Sequence, residues 1–365
     1  MKIDIILPYK EVFSSRKASA VSLTVKNSAE FSSYKKQISV YGQLTDSPFD
    51  SVKFIGIKTN KFLHLGNNNS IYLNYIKKRE SLTKRIVEFH NRPYVFNKAI
   101  QLEKKNPITL HFHNDPRTMK GSKTVNERKN IAENAEAVYF VSHYIKNCFI
   151  DGLHKDYNNL HIIPNAIQRN LNQKPKKNKE VLFVGRLVEE KGCHLYVKAI
   201  KSIVKKYPEW KFRIIGTERA GQKILKSTYA KNLIRDFESL GKNTEYLGFI
   251  SNEEVSNILR KTSILIVPSI WQEPFALTAL EGVCNGAAVI ASKVGGMQEM
   301  LEDVGMLIND IDAIKLEKSI LSLLENENLL SNYHNKSWIN YKYNQKDIVK
   351  IQDEVRTNIF NKYNY

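Results

Sequence analysis

Acid is what this 365-residue chain is short of: 37 aspartates and glutamates stand against 56 lysines and arginines, a formal net charge of +19. A charge of that sign speaks of partners and not of fold. It admits an anionic membrane surface, where Lys and Arg are each worth about 1 kcal/mol near the lipid. It also admits a phosphorylated acceptor, a nucleic acid, or a plain compositional bias toward lysine and asparagine. Long apolar runs are missing too. No stretch approaches the ~20 apolar residues that a membrane span needs, and Met1 to Lys10 holds only a short apolar run broken by Asp4, the pattern of a first strand and not of a signal peptide. Cysteine is scarce. Cys148, Cys193 and Cys284 lie far apart and without metal-ligand spacing, as reduced core thiols of a cytoplasmic protein would. An aromatic-rich basic stripe of the kind that stacks bases is absent, which argues against nucleic acid as the partner.

What is present is a long alternation of strand and helix. Lys2 to Leu7 reads as a buried strand and Ala18 to Phe31 as the helix after it, with further strands expected at Gln37–Tyr41, Lys53–Ile57, Ile86–Phe89, Ile108–Phe112 and Val138–Val141. Alternation of this kind means a parallel sheet with helices on both faces, a Rossmann-like domain over residues 1–168. Residues 169–180, polar and rich in lysine and asparagine, read as a linker. Val181 to Val184 opens a second such domain, 181–343, with strands expected at Phe212–Ile215, Thr244–Leu247, Ser263–Val267 and Ala288–Ser292. The end of the chain, 344–365, carries a helical pattern over Asp347 to Phe360. With 42% hydrophobic residues both domains can bury a core.

Ligands of such sheets gather where strands end, so the residues after each strand carry the functional reading. The apolar run Ile264 to Val267 stops at Pro268, and Glu273-Pro274 leads into a helix expected to open near Phe275. A helix start offers unpaired amides and the positive end of the peptide dipole, so Phe275, Ala276 and Leu277 suit a phosphate. Thr278 and Glu281, three residues apart, share one face of that helix; Glu281 suits ribose hydroxyls and Glu273 sugar hydroxyls. After Val184, Gly185 lets the chain turn, and Arg186 and Lys191 flank a helix start near His194. Paired cations there neutralise a diphosphate leaving group as its charge develops. Two strands of the first half end in matching tetrads, His90-Asn91-Arg92-Pro93 and His113-Asn114-Asp115-Pro116, which bring an imidazole to one edge twice. Asp310-Ile311-Asp312 has the look of a metal motif but directly precedes the amphipathic run Ala313 to Leu324, so it is read as a helix cap and no metal is assigned.

The paired glutamates, with Pro-Phe after the first, resemble the signature of retaining nucleotide-sugar glycosyltransferases, family 4. Gly185-Arg186 with Lys191-Gly192 resembles the family's diphosphate site, and Gly248-Phe249 its base-facing segment. Pro164-Asn165-Ala166 resembles the segment that closes the family's first domain, with Ala166 in place of the glycine and Gln168 in place of the aspartate. The resemblance implies an α/β fold of GT-B type, two Rossmann-like domains facing a cleft, with a last helix that crosses back to the first. It implies donor binding by Gly185, Arg186, Lys191, Gly248, Phe249, Glu273, Phe275, Ala276, Leu277, Thr278 and Glu281. His113 matches the family's histidine beside the reacting sugar, and with Glu273 it makes the catalytic pair. His90 and Asn91 resemble acceptor-side residues of bacterial envelope glycosyltransferases, and Lys10 and Arg16 are placed with them for a charged acceptor. Ala18-Ser19 stands where the family has a glycine pair.

The implied activity is metal-independent transfer, with no cofactor, of a hexose from a nucleoside diphosphate sugar, UDP-linked, to a saccharide or lipid-linked saccharide of envelope polysaccharide or lipopolysaccharide. The implied place is the cytoplasm or the inner face of its membrane. Two other classes answer to the same residues: an epimerase or hydrolase of nucleotide sugars with this fold, and a non-catalytic basic protein that binds nucleic acid.

Overall fold

The computed structural model describes residues 2–9, 11–14, 19–58, 75, 84–102, 106–219, 221–222 and 224–363. The chain forms two compact units, residues 1–166 with 345–365, and residues 167–344. The first unit holds strands β1 (Lys2–Ile6), β2 (Ile38–Gln43), β3 (Phe54–Ile57), β4 (Arg85–His90), β5 (Ile108–Phe112), β6 (Ala137–Phe140) and β7 (Leu160–Ile162). They pair in the order β3-β2-β1-β4-β5-β6-β7, every pairing parallel. The second unit holds β8 (Asn178–Val184), β9 (Lys211–Ile215), β10 (Thr244–Gly248), β11 (Thr262–Val267), β12 (Ala288–Ser292) and β13 (Met306–Ile308). These too are all parallel, in the order β10-β9-β8-β11-β12-β13. In each unit the order reverses direction beside the first strand, between β1 and β4 and between β8 and β11. Such a switch point opens a crevice outside the carboxyl ends of the strands.

Central strands of a parallel sheet are covered on both faces and therefore read as continuous apolar runs. β11 and β12 are buried at every residue, and Val181, Phe183, Ile264, Ile266 and Ile290 share one core with the helices against them. Helix starts follow their capping residues. Ser251 and Glu254 form a reciprocal capping box on Asn252–Lys261. Asp312 caps Ala313–Glu325 by accepting from the Lys315 amide at 2.8 Å, the role read for it above.

The stretch 169–180, expected as a linker, is fastened to the second unit, and β8 already begins inside it. Its long cations satisfy backbone carbonyls that helices leave open at their ends. Arg169 lies 4.1 Å over Trp338 and 4.5 Å over Tyr341 while donating to the carbonyls of Trp338 at 2.7 Å and Cys284 at 2.9 Å. Lys177 donates to those of Asn285 at 2.7 Å and Arg260 at 3.2 Å.

The last helix, Gln345–Lys362, packs in the first unit against Ala20–Phe31. Its Arg356 is fully buried and forks onto both oxygens of Glu88 on β4, at 2.8 and 2.7 Å. A third bond reaches Asp353 at 2.9 Å, and Asp353 in turn accepts from Ser32 and Ser33. Among the described residues no helix is long and apolar enough to cross a membrane.

Removing one member of a buried pair leaves the other desolvated and uncompensated, at a cost of about 3–5 kcal/mol. Arg356→Ala is accordingly expected to destabilise the first unit by about that amount in equilibrium denaturation; a loss below about 1 kcal/mol would place the helix's anchor elsewhere.

Candidate functional site

In the second unit the loops after β8, β11 and β12 are sewn into one edge. Lys191, in the turn after β8, donates from its ammonium to Glu273 Oε1 at 2.5 Å. The Ser269 hydroxyl donates to the same oxygen at 2.7 Å. Glu273 is 4% exposed, a burial its carboxylate tolerates because two donors, one of them charged, meet it. Backbone approach fixes this geometry. Gly192 has φ of +70° and a Cβ there would fall 1.8 Å from the Pro268 carbonyl oxygen. A Cβ on Gly295, at φ +51°, would fall 2.2 Å from that of Glu273. Only glycine permits either contact. Across the edge, Gly296 donates to the Glu273 carbonyl at 2.7 Å, the Gln272 side chain accepts from the Gly295 amide at 2.8 Å, and Ile270 donates to the Glu190 carbonyl at 3.0 Å.

Arg186 shares this edge but turns to Glu190, 2.9 Å away, and its side chain is 51% exposed. Thus Lys191 and Glu273 touch, while Arg186 is held beside them by its own loop. The helix expected from Phe275 begins at Leu277 and runs to Cys284, with Ala276 as its cap. Phe275 is buried edge-on against Tyr343, 5.5 Å between ring centres, which keeps the chain extended two residues longer than the proline suggests. Among the described residues no side chain caps this helix, so the amides of Leu277 and Thr278 keep the open donors of a helix start. A turn further on, half-buried Glu281 takes no side-chain hydrogen bond from any described residue, and burial pushes its carboxyl up to about 7. Gly248, at φ +64°, closes β10 and leaves Phe249 exposed beside it. Sequence reasoning passed over Ser269, Gln272 and Trp271, although all three stand within the stretch it centred on.

In the first unit an aromatic ladder crosses the sheet, with His90 on β4 in register with His111 on β5 and His111 with Tyr139 on β6. Each neighbouring pair stacks at 4.2 Å between ring centres. His113 follows β5, and its Nε2 lies 2.8 Å from His90 Nδ1. Its amide donates to the Asn91 side chain, also at 2.8 Å. Asn91 holds a left-handed backbone, φ +49°, which asparagine tolerates better than most residues. His90 and Asn91 are buried. Both residues bond His113, His90 through its ring and Asn91 through its side-chain oxygen. Burial lowers the His113 pKa to about 4, so near neutral pH the ring is uncharged. Lys10 and Arg16 lie outside the described residues.

Glu88, His90 and His111 bring three metal-ligand atoms within 4.8 Å of one another. Both oxygens of Glu88 are taken by Arg356, and the two imidazoles stack nearly parallel, 14° between planes. Their lone pairs therefore run side by side instead of converging on one ion.

Two parallel Rossmann-like units of this strand order define the GT-B fold. The fold matches the structure of HepE of Anabaena in complex with UDP over 98% of this chain and 100% of that one, with a TM-score of 0.79 at 17% identity. Residues 165–345, just under half of the chain, match the family described as Glycosyl transferases group 1. It is 32% identical over 203 residues to an uncharacterized glycosyltransferase of Methanocaldococcus jannaschii, 55% of this chain and 53% of that protein. It is 26% identical over 194 residues to the lipopolysaccharide 1,2-N-acetylglucosaminetransferase of Salmonella typhimurium, 50% of this chain and 49% of that protein. The chain thus spans about half the length of these relatives.

The raised Glu281 pKa sets a sign for stability against pH. Folding lifts the carboxyl from its ordinary value near ~4.3, so its favourable contribution is whole below that value and is lost as pH rises through about 7. Between pH 5 and 8 the ligand-free protein should lose melting temperature relative to Glu281→Gln. Parallel melting curves for the two would contradict the burial of this carboxylate.

Proposed function

We propose that the chain is a retaining glycosyltransferase that moves a hexose from a nucleoside diphosphate sugar, UDP-linked, to a saccharide or lipid-linked saccharide acceptor of the cell envelope. The observation that carries this reading is the edge of the second unit, where a lysine ammonium bonded to a buried glutamate stands with the uncapped start of the helix Leu277–Cys284. Support comes from the family of residues 165–345. It comes also from a relative named for N-acetylglucosamine transfer to lipopolysaccharide and a structural neighbour crystallised with UDP and with UDP-glucose.

On this reading the diphosphate lies on Lys191, Arg186 and the amides from Phe275 to Thr278. These groups stabilise it more as it leaves with full charge than while it is still esterified to the sugar, and that difference is catalysis. The other carboxylate oxygen of Glu273, with Oε1 held by Lys191 and Ser269, takes sugar hydroxyls. Glu281 takes the ribose diol, and the segment Gly248-Phe249 meets the base. The acceptor hydroxyl attacks the anomeric carbon on the face the diphosphate leaves, and its proton passes to a departing phosphate oxygen. Neutral His113 orients a sugar hydroxyl at its own edge. The net charge of +19 suits a lipid-linked, anionic acceptor at the inner face of the membrane.

Arg186 is the clean test, because an exposed side chain can be removed without disturbing the core. Arg186→Ala should lower turnover at saturating substrate by about 10²–10³-fold, the usual effect of one lost donor to a developing anion. Unchanged turnover would remove the diphosphate assignment. Glu281→Gln should chiefly raise the apparent donor constant, since ribose is bound equally in ground and transition states; a large fall in turnover at saturating donor would contradict that role.

A further inference from the structure

The loop between β11 and the helix Leu277–Cys284 presents Ile270, 50% exposed, and Trp271, 37% exposed. An indole left in water on a loose loop would call for no explanation. This loop is not loose. Ile270 donates to the Glu190 carbonyl at 3.0 Å, the Ser292 hydroxyl donates to the Ser269 carbonyl at 2.5 Å, and Gln272 and Glu273 are tied to Gly295 and Gly296. The backbone on both sides of Trp271 is therefore fixed, and it carries a partly exposed indole. The Lys191 ammonium lies over one face of the ring, 5.2 Å from its centre, and the same ammonium bonds Glu273. An apolar π-face and a hydroxyl-binding carboxylate thus share one cation.

A pyranose ring offers the two complements of that arrangement. Its rim of hydroxyls suits the carboxylate, and its C–H face is apolar and slightly positive, matched to the negative face of an aromatic ring. A nucleoside diphosphate without its sugar offers only the anion. We propose that Trp271 is the platform on which the sugar of the donor stacks, so that it selects hexose-bearing nucleotides over the free diphosphate. This rests on the donor reading of the second unit and adds to it the residue that recognises the sugar ring.

The test is isothermal titration of the full chain and of Trp271→Ala and Trp271→Phe with UDP-glucose and GDP-mannose, each beside its free nucleoside diphosphate. Trp271 is exposed, so both variants should fold, which circular dichroism checks. For whichever pair binds, Trp271→Ala should weaken the sugar nucleotide about tenfold, or ~1.4 kcal/mol, while the affinity for the free diphosphate changes less than about twofold, and Trp271→Phe should recover most of the loss. Equal losses on sugar nucleotide and diphosphate, or no loss on the sugar nucleotide, would each overturn the platform while leaving the donor site standing. Failure of the unaltered chain to bind any of the four ligands would remove the donor reading itself, and the platform with it.

Discussion

Glu273 Oε1 accepts from the Lys191 ammonium at 2.5 Å and from the Ser269 hydroxyl at 2.7 Å, and the rest of this edge is arranged so that those groups can meet. The carboxylate is almost wholly out of water, so without both donors it would be an isolated buried charge. Holding them there needs two close backbone approaches that only glycine allows, Gly192 on Pro268 and Gly295 on Glu273. The parallel sheet supplies the frame: β8, β11 and β12 are neighbours in the order that brings their carboxyl ends, and these three loops, together. A charged pair held this firmly is prepared before any ligand arrives, and preparation is what electrostatic stabilisation of a leaving anion requires.

The first unit solves a different problem with the same architecture. At the edge after β4 and β5 the amide and ring of His113 are each fixed by a buried neighbour, Asn91 and His90. Behind them the sheet carries charge, with Glu88 and Arg356 wholly buried against each other. The last helix is thereby locked to β4 by paired ions as well as by apolar contact. Apolar residues of equal volume often serve stability as well as such a pair, whereas removal of one partner alone is costly.

Strands were the most legible part of the sequence, because buried parallel strands are mostly apolar and glycine or proline stops them. Ile108–Phe112 and Ala288–Ser292 fall where the pattern put them, the other expected strands shift by a few residues at their ends, and the short strands Leu160–Ile162 and Met306–Ile308 were not expected. The two glutamates, Gly185-Arg186 and Lys191-Gly192 were visible because chemistry near a strand end clusters in short motifs. What stayed hidden joins residues far apart in the chain: Arg356 with Glu88, Lys177 with three carbonyls, and Arg169 with Trp338. A polar, lysine-rich stretch such as 169–180 carries no periodic signal that separates a tether from a strap. The bonds from His90 and Asn91 to His113 were hidden for a related reason, since a tetrad shows which residues end a strand but not which of them turn inward.

The central claim is that the second unit binds the diphosphate of a sugar nucleotide through a site already formed in the free protein. It is tested most directly by thermal stability in the presence of UDP, compared with uridine at the same concentration. A ligand at a hundred times its dissociation constant adds about 2.7 kcal/mol to the folded state. UDP is expected to raise the melting temperature by several degrees and uridine to raise it far less. Equal shifts from UDP and uridine, or none from either, would contradict the claim.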